Sequence, residues 1–487
     1  MSTAIAPSLK PLWANFTYFP HQLDGIQWML DKEINGTLVP TKDGSSEVRI
    51  HGGFQCDDMG LGKTIQIASV IVNNPCRRTL LLAPLAMIDT WSQVLRRAGC
   101  IVYEVQKNDW EFMNEVDEPI PRYFIRHRPA IYITNYEKLT HKKSLFQREW
   151  DRVVLDEAHK IRNGDGFIAK EARKIVAPLR WVVTGTPLVN SLKDVVSLLA
   201  FLGVPHSKLW RWEPRYIRLL PNIVIHRSLN SLRNVIKGAP PIPEVHELEL
   251  PFTTEAEEEF YFGVQGETEK YSLEGLSSVE AFVLLLRLRQ ISVHPQVYIN
   301  AKRRKSQSYK RDDWVQPSTK LEKIGEIIEN DNGRLHKYII FCQFNDEMVL
   351  IRDYLLSKEL IADENILMYN GSLTQMQRTA ILARSKETTE KTVMLLQLQA
   401  GGVGLNLQEY DRVIFVSPWW TSALMDQAVA RAVRMGQTEV VKVYHLRLKA
   451  EKDECVAIDR LVNAKAEEKR KMLEKLFQVC ASTTDTE

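Results

Sequence analysis

The hydrophobic positions of the chain are grouped in short continuous runs rather than in long periodic stretches. In the first half, these runs are Thr79-Leu80-Leu81-Leu82-Ala83, Ile131-Tyr132-Ile133-Thr134, Val153-Val154-Leu155 and Trp181-Val182-Val183-Thr184. Because helical stretches separate them, the runs predict strands of a parallel sheet that is covered by helices on both faces. Ligands of such sheets bind at the carboxyl ends of the strands, and all four runs end in polar or turn residues.

The strand–helix alternation stops near residue 190 and returns after Lys320. The patterns between these positions predict helices over Leu192–Leu202 and Glu280–Ile291. The later strands are expected at Tyr338–Phe341, Val393–Leu396, Val413–Val416 and Val440–Tyr444, and a charged helix at Ala464–Val479. The pattern therefore predicts an α/β protein with two sheet-containing units, and a terminal helix that packs back as a brace.

A glycine-rich segment stands between an apolar run and a helical pattern. It reads Asp57-Asp58-Met59-Gly60-Leu61-Gly62-Lys63-Thr64. Glycines before a helix allow backbone N–H groups to surround a phosphate, Lys63 can reach the β- and γ-phosphates, and the Thr64 hydroxyl can hold Mg²⁺. The general pattern has glycine where this chain has Asp57. The segment taken alone therefore also fits a glycine-rich turn before an ordinary helix.

Two further segments supply groups that a nucleotide-hydrolysing site needs. Asp156 ends an apolar strand and can hold Mg²⁺, whereas Glu157 can orient and deprotonate the attacking water. An acidic helix N-cap is the alternative interpretation of this pair. Gln22, at the start of an early helix, can pair with the adenine edge through its amide, or it is simply a polar residue on a surface helix.

The second half has no phosphate loop of its own but carries two arginines near its end. Arg431 and Arg434 are three residues apart, so on a helix they share one face and suit the charge of a γ-phosphate. A solvated basic edge is the alternative. The basic run Ala301–Arg311 predicts a phosphate contact or a nuclear-import signal, with a solvated loop as the other interpretation.

The composition restricts the class of protein but does not indicate what the protein binds. The 487 residues are 44% hydrophobic and 26% charged, and 64 basic against 61 acidic residues leave a formal charge of only +3. The six cysteines are scattered without a C-x-x-C pair, which argues against a zinc module and a disulfide framework. No apolar run approaches a membrane span and no signal peptide is evident. We therefore expect a soluble intracellular protein that has no membrane partner.

The order and spacing of these motifs resemble those of the Swi/Snf (Snf-two) family of superfamily-two ATPases. The segments that carry the resemblance are His21–Gly25, Asp57–Thr64, Leu82–Ala86, Thr134–Glu137, Asp156–Asn163, Thr184–Asn190, Leu288–Pro295, Ser318–Leu321, Asn370–Ser372, Ala400–Leu407 and Gln427–Gln437. The family itself shows Asp at position 57. The chain looks most like the Rad-five/Rad-sixteen branch without its RING insertion, and like short viral proteins of the global-transactivator type. It departs from the family at Gln397-Leu398-Gln399, at Ala430 and near Arg227.

The resemblance implies two tandem RecA-like lobes with a helical protrusion between them and a C-terminal brace helix. The implied parts are an ATP-binding lobe at 1–190, a protrusion and linker at 191–317, a helicase lobe at 318–450 and a brace helix with tail at 451–487. It also implies ATP and Mg²⁺ as cofactors, with Asp57 to Thr64, Gln22 and Gly404 at the nucleotide, Thr64 and Asp156 at the metal, and Glu157, Arg431 and Arg434 as catalytic residues.

The function that the resemblance implies is ATP-driven translocation along double-stranded DNA, held through its phosphates. We expect a monomeric motor that acts on nucleosomes or other DNA-bound proteins, in the nucleus or at a site of viral DNA transcription and replication. Two other hypotheses remain open. One is a strand-separating DNA or RNA helicase, which uses the same two lobes; the other is a non-catalytic transcription scaffold.

Overall fold

The chain folds into two compact units, each with its own sheet. The computed structural model describes residues 9–40, 46–106, 109–113, 128–204, 214–236, 238–270, 278–331, 335–401, 405–449, 451–452 and 455–481. The first unit comprises Met1–Ala239 together with Lys469–Glu487, and the second comprises Pro240–Glu468. The predicted α/β class is confirmed, since both large sheets are mainly or wholly parallel. The division of the chain into four parts at 1–190, 191–317, 318–450 and 451–487, which the resemblance implies, stays a prediction.

The first unit alternates strands and helices for most of its length. Its strands are β1 Thr37–Pro40, β2 Glu47–Gln55, β3 Arg78–Leu82, β4 Ile101–Gln106, β5 Asp109–Phe112, β6 Ala130–Thr134, β7 Arg152–Asp156, β8 Leu179–Val183 and β9 Val224–Ile225. Its helices are α1 Pro20–Ile34, α2 Lys63–Asn73, α3 Ile88–Arg97, α4 Lys138–His141, α5 Phe167–Lys174, α6 Leu192–Leu202, α7 Pro214–Ile223 and α8 Leu229–Leu232. All four strands predicted in this half are present, and so is the helix predicted over Leu192–Leu202.

The order of strands in the first sheet is β1-β2-β8-β7-β3-β6-β4-β5, with β9 also paired to β2. The pairs are parallel except at the two edges, where β1 pairs with β2 and β5 with β4 in antiparallel fashion. Strands β2, β8 and β7 are therefore neighbours, and their carboxyl ends lie side by side at one edge of the sheet. The three segments that follow these strands are thereby brought together.

The sheet is buried on both faces, as its continuous apolar strands predict. Leu80 and Leu82 of β3 belong to one hydrophobic cluster, whereas Leu81 between them belongs to the cluster on the other face. Neighbouring residues of a strand point to opposite faces, so an uninterrupted apolar run requires cover on both sides. Helices α2 and α3 contribute to one of these clusters, and α5 and α6 to the other.

The second unit holds a six-stranded sheet and most of the longer helices. Its strands are β10 Glu244–Leu250, β11 Lys337–Cys342, β12 Ile366–Tyr369, β13 Thr392–Gln397, β14 Arg412–Phe415, β15 Lys442–Leu448, β16 Glu451–Lys452 and β17 Cys455–Val456. Its helices are α9 Glu255–Lys270, α10 Ser278–Val293, α11 Pro295–Lys305, α12 Thr319–Asn330, α13 Asn345–Ser357, α14 Gln375–Glu387, α15 Leu398–Gly401, α16 Ser422–Val429 and α17 Ile458–Ala481.

All strand pairs of the six-stranded sheet are parallel, in the order β10-β15-β14-β11-β13-β12. The sequence did not predict the edge strand β10, whose polar and apolar residues alternate and whose exposed positions are typical of an edge. The strand expected from Val440 begins at Lys442. The remaining predicted strands of this half are confirmed.

Helix α17 is longer than the predicted Ala464–Val479 and is divided between the two units at Glu468 and Lys469. In the second unit, Ile458 and Val462 of α17 are buried in the main hydrophobic cluster. In the first unit, Leu476 and Cys480 are buried in the cluster that also holds Cys56. The end of the helix therefore completes a core whose other residues come from the first half of the chain.

Candidate active site

The glycine-rich segment forms a loop between β2 and α2. Gly60 and Gly62 have φ values of +84° and +79°, a left-handed conformation that glycine adopts without steric cost. The helix begins at Lys63, directly after Gly62. The first N–H groups of a helix have no partner within the helix, so this loop presents backbone donors and a positive dipole where an anion can bind.

The Lys63 side chain lies across the loop that it follows. Its Nζ donates to the backbone oxygen of Asp57 at 2.7 Å and to that of Asp58 at 3.2 Å. A Cβ atom added to Gly185 would lie 3.6 Å from the same Nζ, which places the Gly185-Thr186-Pro187 turn beside the phosphate loop. Lys63 is thus held by weak backbone acceptors at a position where phosphate oxygens can replace them.

Asp57 is fully buried and its carboxylate is used within the protein. Gln55 Nε2 and Gln66 Nε2 donate to Oδ2 at 2.7 and 3.0 Å, and the Arg227 guanidinium donates to both oxygens at 2.9 and 2.5 Å. Burial favours a higher pKa for this carboxyl, but the hydrogen bonds and charge of Arg227 outweigh it and lower the pKa below its usual value. Among the loop residues expected at the nucleotide, Asp57 therefore contributes its backbone carbonyl at Lys63 rather than a free carboxylate.

Arg227, near which the chain departs from the family pattern, makes further contacts beside the loop. Its guanidinium also donates to the backbone oxygen of His21 and, at 2.9 Å, to Oε1 of Gln66. A Cβ atom on Gly25 would lie 2.4 Å from Arg227 Nη2 and 2.2 Å from Gln66 Oε1, so any larger residue would force these two side-chain ends to shift. The sequence signal for this arginine is Asp57 itself, because a buried aspartate at the start of the loop needs a cation as its partner.

Gln22 joins the start of α1 to the phosphate loop. Its Oε1 accepts from Phe19 N at 3.1 Å, and its Nε2 donates to the backbone oxygen of Leu61 at 3.4 Å. His21 Nε2 lies 3.0 Å from the same oxygen, and burial lowers the pKa of this histidine. Gln22 therefore lies at the loop with its amide directed at protein groups, and its role in nucleotide binding stays a prediction.

Asp156 ends β7 and is held by two aromatic residues that sequence reasoning missed. Trp91 Nε1 donates to Asp156 Oδ2 at 2.7 Å, and the Tyr136 hydroxyl donates to the backbone oxygen of Asp156 at 2.6 Å. Trp91 and Tyr136 are both buried. Their motif positions, after Leu82–Ala86 and within Thr134–Glu137, identified the segments but gave no reason to single out these rings.

The electrostatics of Asp156 link it to the phosphate loop. Burial and the neighbouring Glu157 carboxylate raise the pKa of Asp156 to about 6, whereas the Trp91 hydrogen bond and the positive charge of Lys63 lower it. A buried carboxylate with a raised pKa is one that a cation would stabilise in its charged form.

Glu157 adopts a strained backbone conformation. Its φ and ψ are +49° and +50°, in the left-handed region that non-glycine residues rarely occupy. Its N–H donates to Asp156 Oδ1 at 3.0 Å, and its Oε2 lies 3.2 Å from Nδ1 of His159. Strain of this kind is concentrated at functional sites, where the surrounding structure fixes a side chain in place.

The residues present fit Mg²⁺ with Thr64 and Asp156 as its protein ligands. Among the described residues, no group of three or more His, Cys, Asp or Glu side chains could hold a metal on its own. Mg²⁺ does not need such a group, because it is usually bound by one or two protein oxygens, with phosphate oxygens and water completing an octahedron. The threonine hydroxyl and the buried aspartate are oxygen donors of this kind.

Arg431 and Arg434 do not lie on a helix, contrary to the sequence prediction. Helix α16 ends at Val429, and residues 430–436 form consecutive turns that finish at Gly436, whose φ is +100°. The Arg431 N–H donates to the backbone oxygen of Ala428, three residues earlier, which is the tighter spacing of a turn. Arg431 is buried, and burial lowers the pKa of Arg434.

This turn is hydrogen-bonded to residues 407–410, which include the end of the Ala400–Leu407 motif. Leu407 N donates to the backbone oxygen of Arg431 at 3.0 Å, and Gln437 Nε2 donates to those of Gln408 and Tyr410 at 2.8 and 3.0 Å. The predicted nucleotide residue Gly404 lies outside the described residues. Its motif and that of the arginines are nevertheless adjacent within the second unit.

Other motif segments of the second unit meet in its interior. Lys320 Nζ is fully buried and donates to Asp459 Oδ2 at 2.6 Å and to Ser417 Oγ at 2.8 Å. Arg289 donates to the backbone oxygen of Pro418 at 3.1 Å and lies over the Trp419 ring. These charges are enclosed by protein, so their motifs stabilise the unit rather than forming an open pocket of their own.

The basic run Ala301–Arg311 is not a solvated loop throughout. Residues up to Lys305 form the end of α11, where positive charge is favoured by the helix dipole. Arg303 pairs with Asp313 at 2.5 Å, Arg304 pairs with Asp346 at 2.6 Å, and the Arg311 guanidinium lies 3.8 Å from the Phe260 ring centroid. Part of its charge is thereby matched within the unit.

Two family models match the chain in the regions of these sites. The SNF2-related domain matches residues 21–220, and the helicase conserved C-terminal domain matches residues 319–436. The first match covers the phosphate loop, Asp156 and Glu157. The second covers the segment around Gly404 and the arginine turn.

Similar proteins come from viruses, animals and bacteria. The "Probable global transactivator" of Orgyia pseudotsugata multicapsid polyhedrosis virus is 26% identical, over 94% of this chain and 91% of the viral protein. The "Chromodomain-helicase-DNA-binding protein 1-like" of Danio rerio is also 26% identical, over 88% of this chain but only 41% of that protein. An "Uncharacterized ATP-dependent helicase" of Mycoplasma pneumoniae is 25% identical, over 88% of this chain and 39% of its own length.

Among solved structures, the "Sulfolobus solfataricus SWI2/SNF2 ATPase core in complex with dsDNA" is similar over 97% of this chain and 98% of that one, at 21% identity and a TM-score of 0.39. In the described part of the chain, no helix is long and apolar enough to cross a membrane.

The phosphate loop, the Asp156–Glu157 pair and the two family models define an ATP-hydrolysing enzyme core of the helicase superfamily. Residues 21–220 match an SNF2-related domain and residues 319–436 a helicase conserved C-terminal domain, in agreement with the resemblance to the Swi/Snf (SNF2) family. The place of the chain near the Rad-five/Rad-sixteen branch stays a prediction.

Proposed function

We propose that the protein is a DNA-dependent ATPase that moves along double-stranded DNA. The observation that carries this proposal is the arrangement of Lys63, Asp156 and Glu157 at the adjoining carboxyl ends of β2 and β7, separated only by β8. The resemblance to the Swi/Snf (SNF2) family adds the expectation of ATP as substrate. A relative whose name describes it as a DNA-binding helicase supports the choice of DNA as the nucleic acid.

Four residues of the first unit have distinct roles in the proposed hydrolysis of ATP: Lys63, Thr64, Asp156 and Glu157. Lys63 exchanges its backbone acceptors for the β- and γ-phosphate oxygens, while the helix N-terminus holds the remaining phosphate charge. Thr64 and Asp156 hold Mg²⁺, which neutralises phosphate charge when it is bound. Glu157 orients the attacking water and accepts its proton, with a carboxylate that its constrained backbone holds in place.

In the second unit, we assign transition-state stabilisation to Arg431 and Arg434. A guanidinium group keeps its charge and matches phosphate oxygens in two-pronged geometry, so it suits the charge that develops on the γ-phosphate. Gly404 belongs to the same proposal as a nucleotide-side residue. Loss of either arginine should lower the turnover rate more than it lowers ATP affinity.

The proposed DNA contacts are made mostly with phosphates and are independent of base sequence. Such binding weakens steeply with salt, because each neutralised phosphate releases counterions. We propose a monomeric motor that works inside the cell on protein–DNA complexes, including nucleosomes.

The first experiment compares ATPase rates of four samples: no nucleic acid, single-stranded DNA, duplex DNA and RNA. Duplex DNA is expected to stimulate most. Lys63→Ala should lose ATP binding, whereas Glu157→Gln should bind ATP with turnover reduced about 100- to 10,000-fold, the range of a lost general base. Glu359→Gln is the matched control, because Glu359 has a similar φ of +53° at an exposed position. Wild-type turnover in Glu157→Gln would contradict the role of Glu157.

Movement is tested separately from hydrolysis. A blunt duplex that carries a third strand in its major groove should lose that strand on addition of ATP, while the two strands of the duplex stay together. ATP-dependent separation of a tailed duplex would favour the helicase alternative instead. Stimulation by RNA above duplex DNA would contradict the proposal, and the absence of any nucleic-acid-stimulated ATPase would favour a scaffold.

A further inference from the structure

The end of helix α17 packs against the segment that adjoins the phosphate loop. Leu476 and Cys480 are buried in the same cluster as Phe54 and Cys56, the residues that lead into that loop. Between them, Phe477 is partly buried and packs on this cluster. The family models that match the chain end at residue 436, so neither includes this part of the molecule.

Phe477 stacks directly on His226. The two rings are nearly parallel, with an interplanar angle of 5° and 3.5 Å between their centroids. The position of the histidine ring is therefore defined on one face by an aromatic surface from the terminal helix. His226 also precedes Arg227, whose guanidinium holds the Asp57 carboxylate.

His226 in turn faces Asp58 of the phosphate loop. The His226 Nε2 atom lies 3.5 Å from Asp58 Oδ1, and the other carboxylate oxygen accepts from Leu229 N at 2.8 Å. The Asp58 N–H donates to the backbone oxygen of Arg227 at 3.0 Å. The strand-like segment around His226 and the phosphate loop are thus joined through both backbone and side chain of Asp58.

Asp58 completes the connection to the phosphate-binding lysine. Its backbone oxygen accepts from Lys63 Nζ at 3.2 Å. A continuous series of contacts therefore runs from Phe477 through His226 and Asp58 to Lys63. Every step of the series lies within the first unit.

A second contact of α17 reaches the other side of the same site. Lys469 Nζ donates to Asn190 Oδ1 at 3.2 Å, and Asn190 ends the motif that starts at Thr184. Gly185 of that motif lies beside Lys63. The terminal helix therefore contacts two of the segments that surround the lysine, although the Lys469 contact is exposed and contributes little by itself.

We propose that Phe477 is a positioning residue for ATP binding, which fixes the phosphate loop through its stack on His226. This inference rests on the proposed ATPase function. Phe477 does not touch the substrate, so its loss should shift the population of competent loop conformations and weaken ATP binding, while the catalytic groups at Asp156 and Glu157 remain in place. The signature is a raised KM for ATP at nearly unchanged kcat.

The test uses the full chain with three substitutions in α17. Phe477→Leu keeps an apolar side chain but removes the stack, and Phe477→Tyr keeps the stack. Leu473→Ala is the matched control, because Leu473 packs on the same cluster from the same helix. Thermal unfolding is measured beside KM and kcat for each, so that a loss of packing is separated from a loss of positioning.

Phe477→Leu is expected to raise KM for ATP about 2- to 12-fold, the factor that corresponds to losing one aromatic pair. Phe477→Tyr should stay within about twofold of wild type, and Leu473→Ala should lower thermal stability without this KM change. If Phe477→Leu and Leu473→Ala have the same KM, or if only kcat falls, Phe477 is not a positioning residue.

A His226→Ala variant and the His226→Ala/Phe477→Leu double variant complete the experiment. If the stack is the connection, the double variant should have the KM of the His226→Ala variant, because the second change then removes nothing further. If the KM increases of the two single variants multiply in the double variant, the inference is contradicted. Failure of the proposed function is distinguishable, since in that case the wild-type protein and Leu473→Ala would also lack ATPase activity.

Discussion

Two arginine–carboxylate pairs lie at opposite ends of the strands of the first sheet and have different roles. Arg152 pairs with Glu33 at 2.6 Å, and Arg227 pairs with Asp57 at 2.5 Å. Arg152 begins β7, the strand that ends at Asp156, whereas Asp57 follows the carboxyl end of β2. The chemistry of the pairs is the same, but only the second pair adjoins the proposed nucleotide site.

The Arg152–Glu33 pair joins elements that are far apart in sequence. Both side chains are fully buried, and Trp181 Nε1 and Asn74 Nδ2 add hydrogen bonds to the carboxylate at 2.8 and 2.7 Å. Arg152 also donates to the backbone oxygen of Asn74 at 2.7 Å. The pair thereby connects α1, β7, β8 and the end of α2 at the edge of the sheet away from the site.

The Arg227–Asp57 pair instead shapes a loop. The Asp57 side chain is fully buried, whereas the Arg227 side chain is 17% exposed. The backbone oxygen of the same aspartate holds Lys63. The comparison teaches that a buried ion pair at the amino end of the strands contributes to stability, whereas the same pair at the carboxyl end positions a functional group.

Removal of one partner from the amino-end pair should have the largest effect on stability. Glu33→Ala leaves the Arg152 charge buried without a partner and should lower the free energy of unfolding by about 3–5 kcal/mol, as measured by urea denaturation. The double variant Glu33→Leu/Arg152→Met replaces both charges with apolar groups and should recover most of the loss. A single-variant loss below about 1 kcal/mol would contradict the structural role.

Replacement of Arg227 should destabilise the protein less than replacement of Glu33 does, but it should weaken ATP binding more. Arg227→Ala leaves Asp57 buried without its cation, but the two glutamine donors remain, so we expect a loss of about 2–3 kcal/mol. KM for ATP should rise at least about tenfold, because the carbonyl that holds Lys63 is no longer fixed. Arg233→Ala, in the same segment but away from Asp57, is the control. If Glu33→Ala raises KM for ATP as strongly as Arg227→Ala does, measured at the same fraction of folded protein, the two ion pairs do not differ in role.

Glu347 shows what burial does to a carboxylate that no arginine contacts. It is fully buried, and its Oε2 accepts from Gln343 N and Phe344 N, while Oε1 has no hydrogen-bond partner among the described residues. Burial raises its pKa from 4.5 to about 7, despite these two bonds and the charges of Lys320 and Arg289. Asp57, with Arg227 beside it, is shifted in the opposite direction.

The folded protein therefore keeps a proton on Glu347 at pH values where the unfolded chain has lost it. Its contribution to stability is present below pH 4.5 and is lost as the pH rises through about 7. Glu347→Gln removes this titration and should be more stable than wild type by about 3 kcal/mol at pH 8, with the difference shrinking toward pH 5. Denaturation curves of both proteins across this range give the answer, and parallel pH profiles would refute the assignment.

The smallest expected effect comes from the space beneath Arg227. Gly25→Ala places a methyl group within 2.4 Å of the guanidinium and should cost about 1–2 kcal/mol, with a modest rise in KM for ATP, since both neighbours are ends of flexible side chains. Gly263→Ala is the control, because nothing lies within 4 Å of its added Cβ in α9. The control should be neutral or stabilising in thermal unfolding, and equal losses at both glycines would remove the argument for close approach.

The sequence predicted the strands and the phosphate loop because both depend on local patterns. The run from Val153 to Leu155 is apolar without interruption, and Gly60 and Gly62 precede a helix, so each could be recognised from its neighbours. The partners of the functional residues could not be recognised in this way. Trp91, Tyr136 and Arg227 reach Asp156 and Asp57 only after the sheet has assembled, and no pattern along the chain encodes those contacts.

Two local predictions were also incomplete for physical reasons. The helix that would carry Arg431 and Arg434 on one face stops at Val429, and the residues after it form turns that end at a glycine with positive φ. Strand β10 was missed because its polar residues hide a two-residue alternation that suits an edge position. Both cases show that hydrophobic runs reveal central elements better than peripheral ones.

The division of α17 between the two units has a consequence for synthesis on the ribosome. The first unit gains Leu476, Phe477 and Cys480 only after every residue of the second unit has been made. A nascent chain that has folded through Ala239 therefore exposes the apolar surface that these side chains later cover, at the segment beside the phosphate loop. Premature release or stalling before residue 469 would leave that surface open to aggregation and chaperone capture.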